Sequence, residues 1–209
     1  MKHLITTGTT TAPAQGEVCN WTKFGFWNDA TAARVAECIA AGANVNARSK
    51  KGRTPLHRAA AYGTAGIVQA MIDAGANINA RDKDGETPLH VAARWGNAEA
   101  VRAMIDAGAD IAARDEGGQT PLHWAKTAEL VRILIDAGAN IKARSKDGWT
   151  PLHLAALLGN AKVVRAMIDA GADIAARDID DQTPADYAEE NEAVRNDPVF
   201  WELHDARFD

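Results

Sequence analysis

Thr54-Pro55-Leu56-His57 recurs as Thr87-Pro88-Leu89-His90, Thr120-Pro121-Leu122-His123 and Thr150-Pro151-Leu152-His153, with a worn copy at Thr183-Pro184-Ala185-Asp186. Successive copies start 33, 33, 30 and 33 residues apart. A second phrase keeps the same register: Ala41-Gly42-Ala43, Ala74-Gly75-Ala76, Ala107-Gly108-Ala109, Ala137-Gly138-Ala139 and Ala170-Gly171-Ala172. Two interlocked phrases at one period mark a tandem array of one structural unit. A unit this small cannot bury its apolar face alone, so the units must stack.

Local chemistry predicts the shape of each unit. Thr at the head of the tetrapeptide is a good helix N-cap, and the following Pro fills the first helical position, where its missing N–H costs nothing. Gly63, Gly96 and Gly159 are expected to close those first helices in the left-handed conformation. Thr31, Thr64, Asn97, Thr127 and Asn160 then cap a second helix. Its apolar positions, such as Val68/Met71/Ile72 and Val101/Met104/Ile105, are spaced for one face. The Ala-Gly-Ala phrase ends it, and an Asp/Gly-rich turn such as Arg81-Asp82-Lys83-Asp84-Gly85 leads to the next unit.

Period, tetrapeptide and unit plan together resemble the ankyrin-repeat family, over about four-fifths of the chain. The resemblance implies an all-α solenoid of stacked helix-turn-helix units with short β-hairpin loops. The register places internal units at 49–81, 82–114, 115–144 and 145–177, between an N-terminal cap unit (17–48) and a C-terminal cap unit (178–209). Residues 1–16, Thr-rich and patternless, are expected to be disordered. The front phrase Phe26-Trp27-Asn28-Asp29-Ala30-Thr31-Ala32 and the tail from Trp201 to Phe208 are similar to those of bacterial ankyrin proteins. At the front Trp21-Thr22-Lys23-Phe24 stands in place of the tetrapeptide; Phe26 and Trp27 after it, and a last helix opened by Asp197-Pro198 with Val199, Phe200, Trp201 and Leu203, are expected to cover the two ends.

The third tetrapeptide unit is three residues short. His123-Trp124-Ala125-Lys126-Thr127 stands where its neighbour has His90-Val91-Ala92-Ala93-Arg94-Trp95-Gly96-Asn97. The closing Gly is gone, which predicts a first helix about one turn shorter and a notch in the stack.

A net charge of −5 argues against a nucleic-acid partner, which needs a basic stripe. No apolar stretch approaches the roughly 18 residues that span a membrane. Cys38 shares the register of Met71, Met104, Leu134 and Met167, a buried position, whereas Cys19 precedes the first helix. Two readings stand. A Cys19–Cys38 disulfide would staple the front cap, worth about 3 kcal/mol in the chain-entropy view, and implies a periplasmic or secreted protein. Free thiols would fit a cytoplasmic one, and Met1–Ala14 lacks the apolar run of a secretory signal.

The four histidines do not form a metal ladder. Units stack about 10 Å apart, too far to share an ion with ligand bonds of about 2 Å, and the resemblance implies that this His hydrogen-bonds between turns. Asp82-Lys83-Asp84-Gly85 opens like a calcium loop but lacks the closing Glu. No phosphate loop, metal-protease pair or activated nucleophile is present, so no catalytic residue, cofactor or metal is expected. The resemblance instead implies protein binding by a monomer, on a concave face of loop tips and first helices. That face would carry Arg53, Arg58, Tyr62, Glu86, Arg94, Trp95, Trp124, Trp149, Leu154, Leu157 and Leu158, rich in types that anchor interfaces. Lys50, Lys51 and Arg53 make the first tip basic, and Asp178, Asp180 and Asp181 make the last acidic. An enzyme-regulating subunit and a host-directed effector are the alternative roles.

Overall fold

Helix formation follows the phrases closely in the computed structural model, which describes Cys19, Trp21, Phe26, Trp27 and residues 30–205. The expected disorder of 1–16, the front residues Thr22, Lys23 and Phe24, and the tail beyond Asp205 lie outside the described residues. Helix α1 (Ala32–Ala40) is followed by pairs α2 (Pro55–Tyr62) and α3 (Ala65–Asp73), then α4 (Pro88–Trp95) and α5 (Ala98–Asp106). The third unit has a single 3-10 turn, Pro121–Trp124, before α6 (Ala128–Asp136). Helices α7 (Pro151–Leu158), α8 (Ala161–Asp169), α9 (Pro184–Ala188), α10 (Glu192–Arg195) and α11 (Val199–Asp205) follow. First helices stack in one layer, α2 on α4, α4 on the 3-10 turn, and that turn on α7 and then α9. Second helices stack behind them as α1, α3, α5, α6 and α8. No described helix is long and apolar enough to cross a membrane.

The core between the layers is thin and repetitive. Leu56, Leu89, Leu122 and Leu152 of the tetrapeptides are fully buried, as are Met71, Met104, Leu134 and Met167 behind them. Each second helix ends on its Ala-Gly-Ala phrase with the Gly left-handed, and the second Ala N–H returns to a carbonyl five residues back, as Ala76 does to Met71 (2.9 Å).

The first helices end differently from expectation. Only Gly96 is left-handed (φ 81°); Gly63 (φ −85°) and Gly159 (φ −82°) are extended. The next unit decides the matter. The Asn97 amide donates to the Ala60 and Gly63 carbonyls (3.1 and 2.8 Å), and Asn191 does the same for Ala156 and Gly159 (2.9 and 3.0 Å). Extended glycine turns its carbonyl toward that amide. After Gly96 the matching residue is Thr127, which has no amide to offer. There the main-chain N–H of Lys126 takes the Ala93 carbonyl instead (3.2 Å).

The tips are also a correction: no strand forms among the described residues. Each tip closes as a turn, as Asp82 N–H to Glu86 carbonyl (2.9 Å) and Asp115 N–H to Gln119 carbonyl (2.9 Å). One backbone bond joins each tip to the next, such as Glu116 N–H to the Asp84 carbonyl (3.0 Å), too few for a ladder. Arginines of the Ala-Arg phrase add a side-chain rung: Arg48 donates to the Arg81 carbonyl, Arg81 to Arg114, Arg114 to Arg144 and Arg144 to Arg177.

Both ends are sealed by bulk. Trp21, Phe26 and Trp27 are buried in edge-on contacts, with the Trp27 indole donating to the Trp21 carbonyl (2.9 Å). Cys19 and Cys38 sit beside them joined as a disulfide, Cα atoms 5.4 Å apart. At the other end Val199, Phe200 and Leu203 are buried, but Trp201 is 61% exposed, contrary to its expected place in the seal. It stands on the outward side of α11, beside Phe200 and His204.

Candidate functional site

The histidines hold the tips to the helices. His57 Nδ1 accepts from the Thr54 N–H (3.1 Å), and its Nε2–H donates to the Glu86 carbonyl of the next tip (3.0 Å). His90, His123 and His153 repeat this toward Gln119, Trp149 and Gln182. Only the neutral ring can accept on one nitrogen and donate on the other. Burial pushes His57 and His123 down to about 4 and lowers His90 and His153, against the opposing pull of the carbonyl each ring reaches. In the last unit Asp186 takes the place of His, accepting from the Thr183 N–H (2.7 Å) and hydroxyl (2.6 Å). A carboxylate makes the same cap without a second N–H that needs a carbonyl from a following tip.

Next to this scaffold lies a network of charge and stacked rings. Glu86, buried, takes Arg53 Nη2 (2.9 Å) on one oxygen and Arg94 on the other. Arg53 also holds Asp82 (2.9 Å). Burial raises the Glu86 pKa even though both guanidiniums pull it down. The Arg94 guanidinium carbon lies over the Trp124 ring, 3.8 Å from its centre, and the Trp124 indole donates to Asp115 (3.3 Å). The Arg94 Nε–H is buried and has no acceptor. Asp82, Asp84 and Glu86 cluster closely enough to suggest a cation site. Two of the three carboxylates, Asp82 and Glu86, already hold guanidiniums, which leaves Asp84 alone without an ion pair among the described residues.

The expected binding residues divide into three groups. Tyr62 and Trp95 are exposed and stack on each other, ring centres 5.0 Å apart; Trp95 is 50% exposed and Leu158 67%. Arg53, Arg58, Arg94, Trp124, Trp149 and Leu157 are half-buried. Trp149 is covered by Tyr187 at 4.7 Å, whose hydroxyl donates to Asp178 (2.6 Å); burial and that bond push the phenol up to about 12. Leu154 is buried, so its side chain is a wall rather than a free contact.

The short third unit opens a hollow between the ends of α4 and α7. The 3-10 turn stops after four residues, against eight in α2, α4 and α7. Ala125 then leaves the helix in extended geometry (φ −60°, ψ 106°). The resulting cavity holds about 550 Å³ and is walled chiefly by Trp95, Trp124, Leu154, Ala155 and Leu158, with Lys126 at its rim.

A two-layer stack of helix pairs with left-handed Gly ends, a His-to-tip ladder and tip-to-tip bonds decides the family together with the sequence comparison. A family model described as ankyrin repeats (3 copies) matches residues 28–115 and 113–178. The chain belongs to the ankyrin-repeat family. No curated protein matches it at a significant level. Ankyrin repeats are typically non-catalytic modules of protein–protein interaction. The notch and the exposed Tyr62–Trp95 pair both lie on the layer of first helices. Sequence reading found the notch from a missing Gly. It missed the Arg94–Trp124–Asp115 ridge, because Arg94 belongs to the unit before that of Asp115 and Trp124 and meets them only on stacking.

Proposed function

We propose that this ankyrin protein binds another protein on its concave face as a monomer and has no catalytic activity of its own. One observation carries the reading: Tyr62, Trp95 and Leu158 expose large apolar surface on the first-helix layer, in positions where the repeat requires nothing large. Exposed apolar groups mark an interaction site when they form one patch, and here Tyr62 stacks on Trp95 while Trp95 and Leu158 line one hollow. Trp124 and Trp149 serve from below, as rings held in place by Arg94 and Tyr187. The Cys19–Cys38 bond supports a periplasmic or extracellular setting for the interaction.

With a partner purified from the native source, Trp95→Ala should weaken binding by about 2 kcal/mol or more, with little change in melting temperature. Trp124→Ala and Trp149→Ala should weaken it less, and should lower stability because their rings are packed. Arg102, exposed on the second-helix layer and paired with Glu129 (2.9 Å), is the control. If Arg102→Glu abolishes binding while Trp95→Ala leaves it intact, the wrong face has been assigned.

A further inference from the structure

Two hollows on the first-helix layer share one wall. The first is the notch, with its apolar sides and about 550 Å³ of space. The second, about 350 Å³, lies at the tips and is lined by Asp84, Glu86, Asp115, Glu116, Asp147 and Arg94, with Trp124 at its edge. Arg94 and Trp124 border both, so the stacked guanidinium and indole form the ridge between them.

From this geometry we infer that the concave face takes an extended segment of the partner carrying one large apolar side chain and one Lys or Arg. The apolar group fills the notch and the cation lies among the tip carboxylates. This inference rests on the concave-face reading above and adds the chemistry of the occupant. Charge complementarity carries it. The tip hollow has five carboxylates and one guanidinium, and that guanidinium is committed to Glu86. Asp84, Glu116 and Asp147 make no ion pair among the described residues, so this end repels an acidic segment and attracts a basic one. At the notch end Lys126 makes no ion pair among the described residues, which keeps a basic side chain from settling there instead. The walls of the notch are rings and leucines, which favour an apolar group.

The ridge is built before any partner arrives. Arg94 is pinned by Glu86 and by the Trp124 ring, Trp124 by Asp115, and Glu86 by Arg53 as well. Little side-chain freedom remains to be lost on binding, which favours affinity. Alternate residues of an extended segment lie on one side about 6.5 Å apart. One or three residues between the cation and the apolar group thus let both point down on either side of the ridge.

The test uses fluorescein-labelled Gly/Ser peptides bearing Lys and Leu with one or three residues between them, and partners in which Glu replaces Lys or Ala replaces Leu. Fluorescence anisotropy at low salt should show a Lys–Leu peptide binding at least about tenfold more tightly than its Glu–Leu and Lys–Ala counterparts. Glu116→Lys should weaken that binding about fivefold and Leu158→Glu about tenfold, with amide shifts mapping to Ala125 and Lys126. Equal or tighter binding of the Glu–Leu peptides overturns the inference. So does a dissociation constant unchanged by Leu158→Glu, or no binding of any Lys–Leu peptide at concentrations on the order of 1 mM. Both substituted side chains are exposed, and unchanged melting temperatures would show that the fold is kept. If the native partner is lost with Trp95→Ala but unaffected by Glu116→Lys and Leu158→Glu, the concave-face reading stands and this occupant is wrong.

Discussion

Acidification should loosen this stack through its histidines. Each of His57, His90, His123 and His153 accepts a Thr N–H on Nδ1, and a proton placed on that nitrogen would set two donors against each other. Burial holds His57 and His123 down to about 4, below the ordinary 6.5. The folded-state values are depressed, so the unfolded chain takes up the proton first as pH falls. Stability is therefore complete above about 6.5 and lost between there and about 4. Going from pH about 7.5 to about 5 should cost roughly 2 kcal/mol for each of these two rings, with His90 and His153 adding in the same direction. Glu86 acts oppositely, because its raised folded-state value makes protonation favour the fold, but it is one group against four. Against a typical total of about 5–15 kcal/mol, the two rings alone remove a large share. Urea unfolding followed by far-ultraviolet dichroism should show the midpoint falling by roughly 1–2 M between these pH values. Imidazole proton resonances would assign the effect ring by ring. A midpoint that holds steady down to pH about 5, or His57 and His123 resonances that titrate near 6.5, would refute the reasoning.

Three further outcomes follow from the geometry. Inserting Arg-Trp-Gly before Thr127 restores the missing turn and its closing Gly, so the melting temperature should hold or rise slightly while the notch fills; a large loss would show that the short turn is structurally required. Gly75 and Gly85 are both left-handed, but a Cβ on Gly75 meets nothing within 4 Å, whereas one on Gly85 lies 2.8 Å from the Glu116 backbone N. Gly75→Ala should thus cost about 1 kcal/mol and Gly85→Ala clearly more by thermal or urea unfolding, and equal costs would refute the close-approach explanation. With Cys19 and Cys38 paired, reducing agent should lower the melting temperature by weakening the front cap, and thiol titration of the unfolded, unreduced protein should find none free. Two free thiols in protein taken from an oxidising compartment would refute the pairing.

The sequence by itself determined what depends on near neighbours in the chain. Thr at an N-cap, Pro at the first helical position and Gly in Ala-Gly-Ala have the same local energetics in every copy, so the helix pairs and their spacing of 33 residues, with one of 30, are readable from the recurrence of these phrases. The three missing residues before Thr127 likewise announced the short turn. Stacking alone decided the rest. Gly63 and Gly96 occupy equivalent positions, yet one is extended and the other left-handed, because Asn97 stands over the first and Thr127 over the second. Trp95 and Trp124 read alike in the chain, but Trp95 is left in water beside Tyr62 while Trp124 is roofed by Arg94. A side chain's exposure, and the partner of a carbonyl or a guanidinium, belong to the neighbouring unit about 30 residues away. Local propensity carries no information across that distance; only the packed stack brings the groups within hydrogen-bond range.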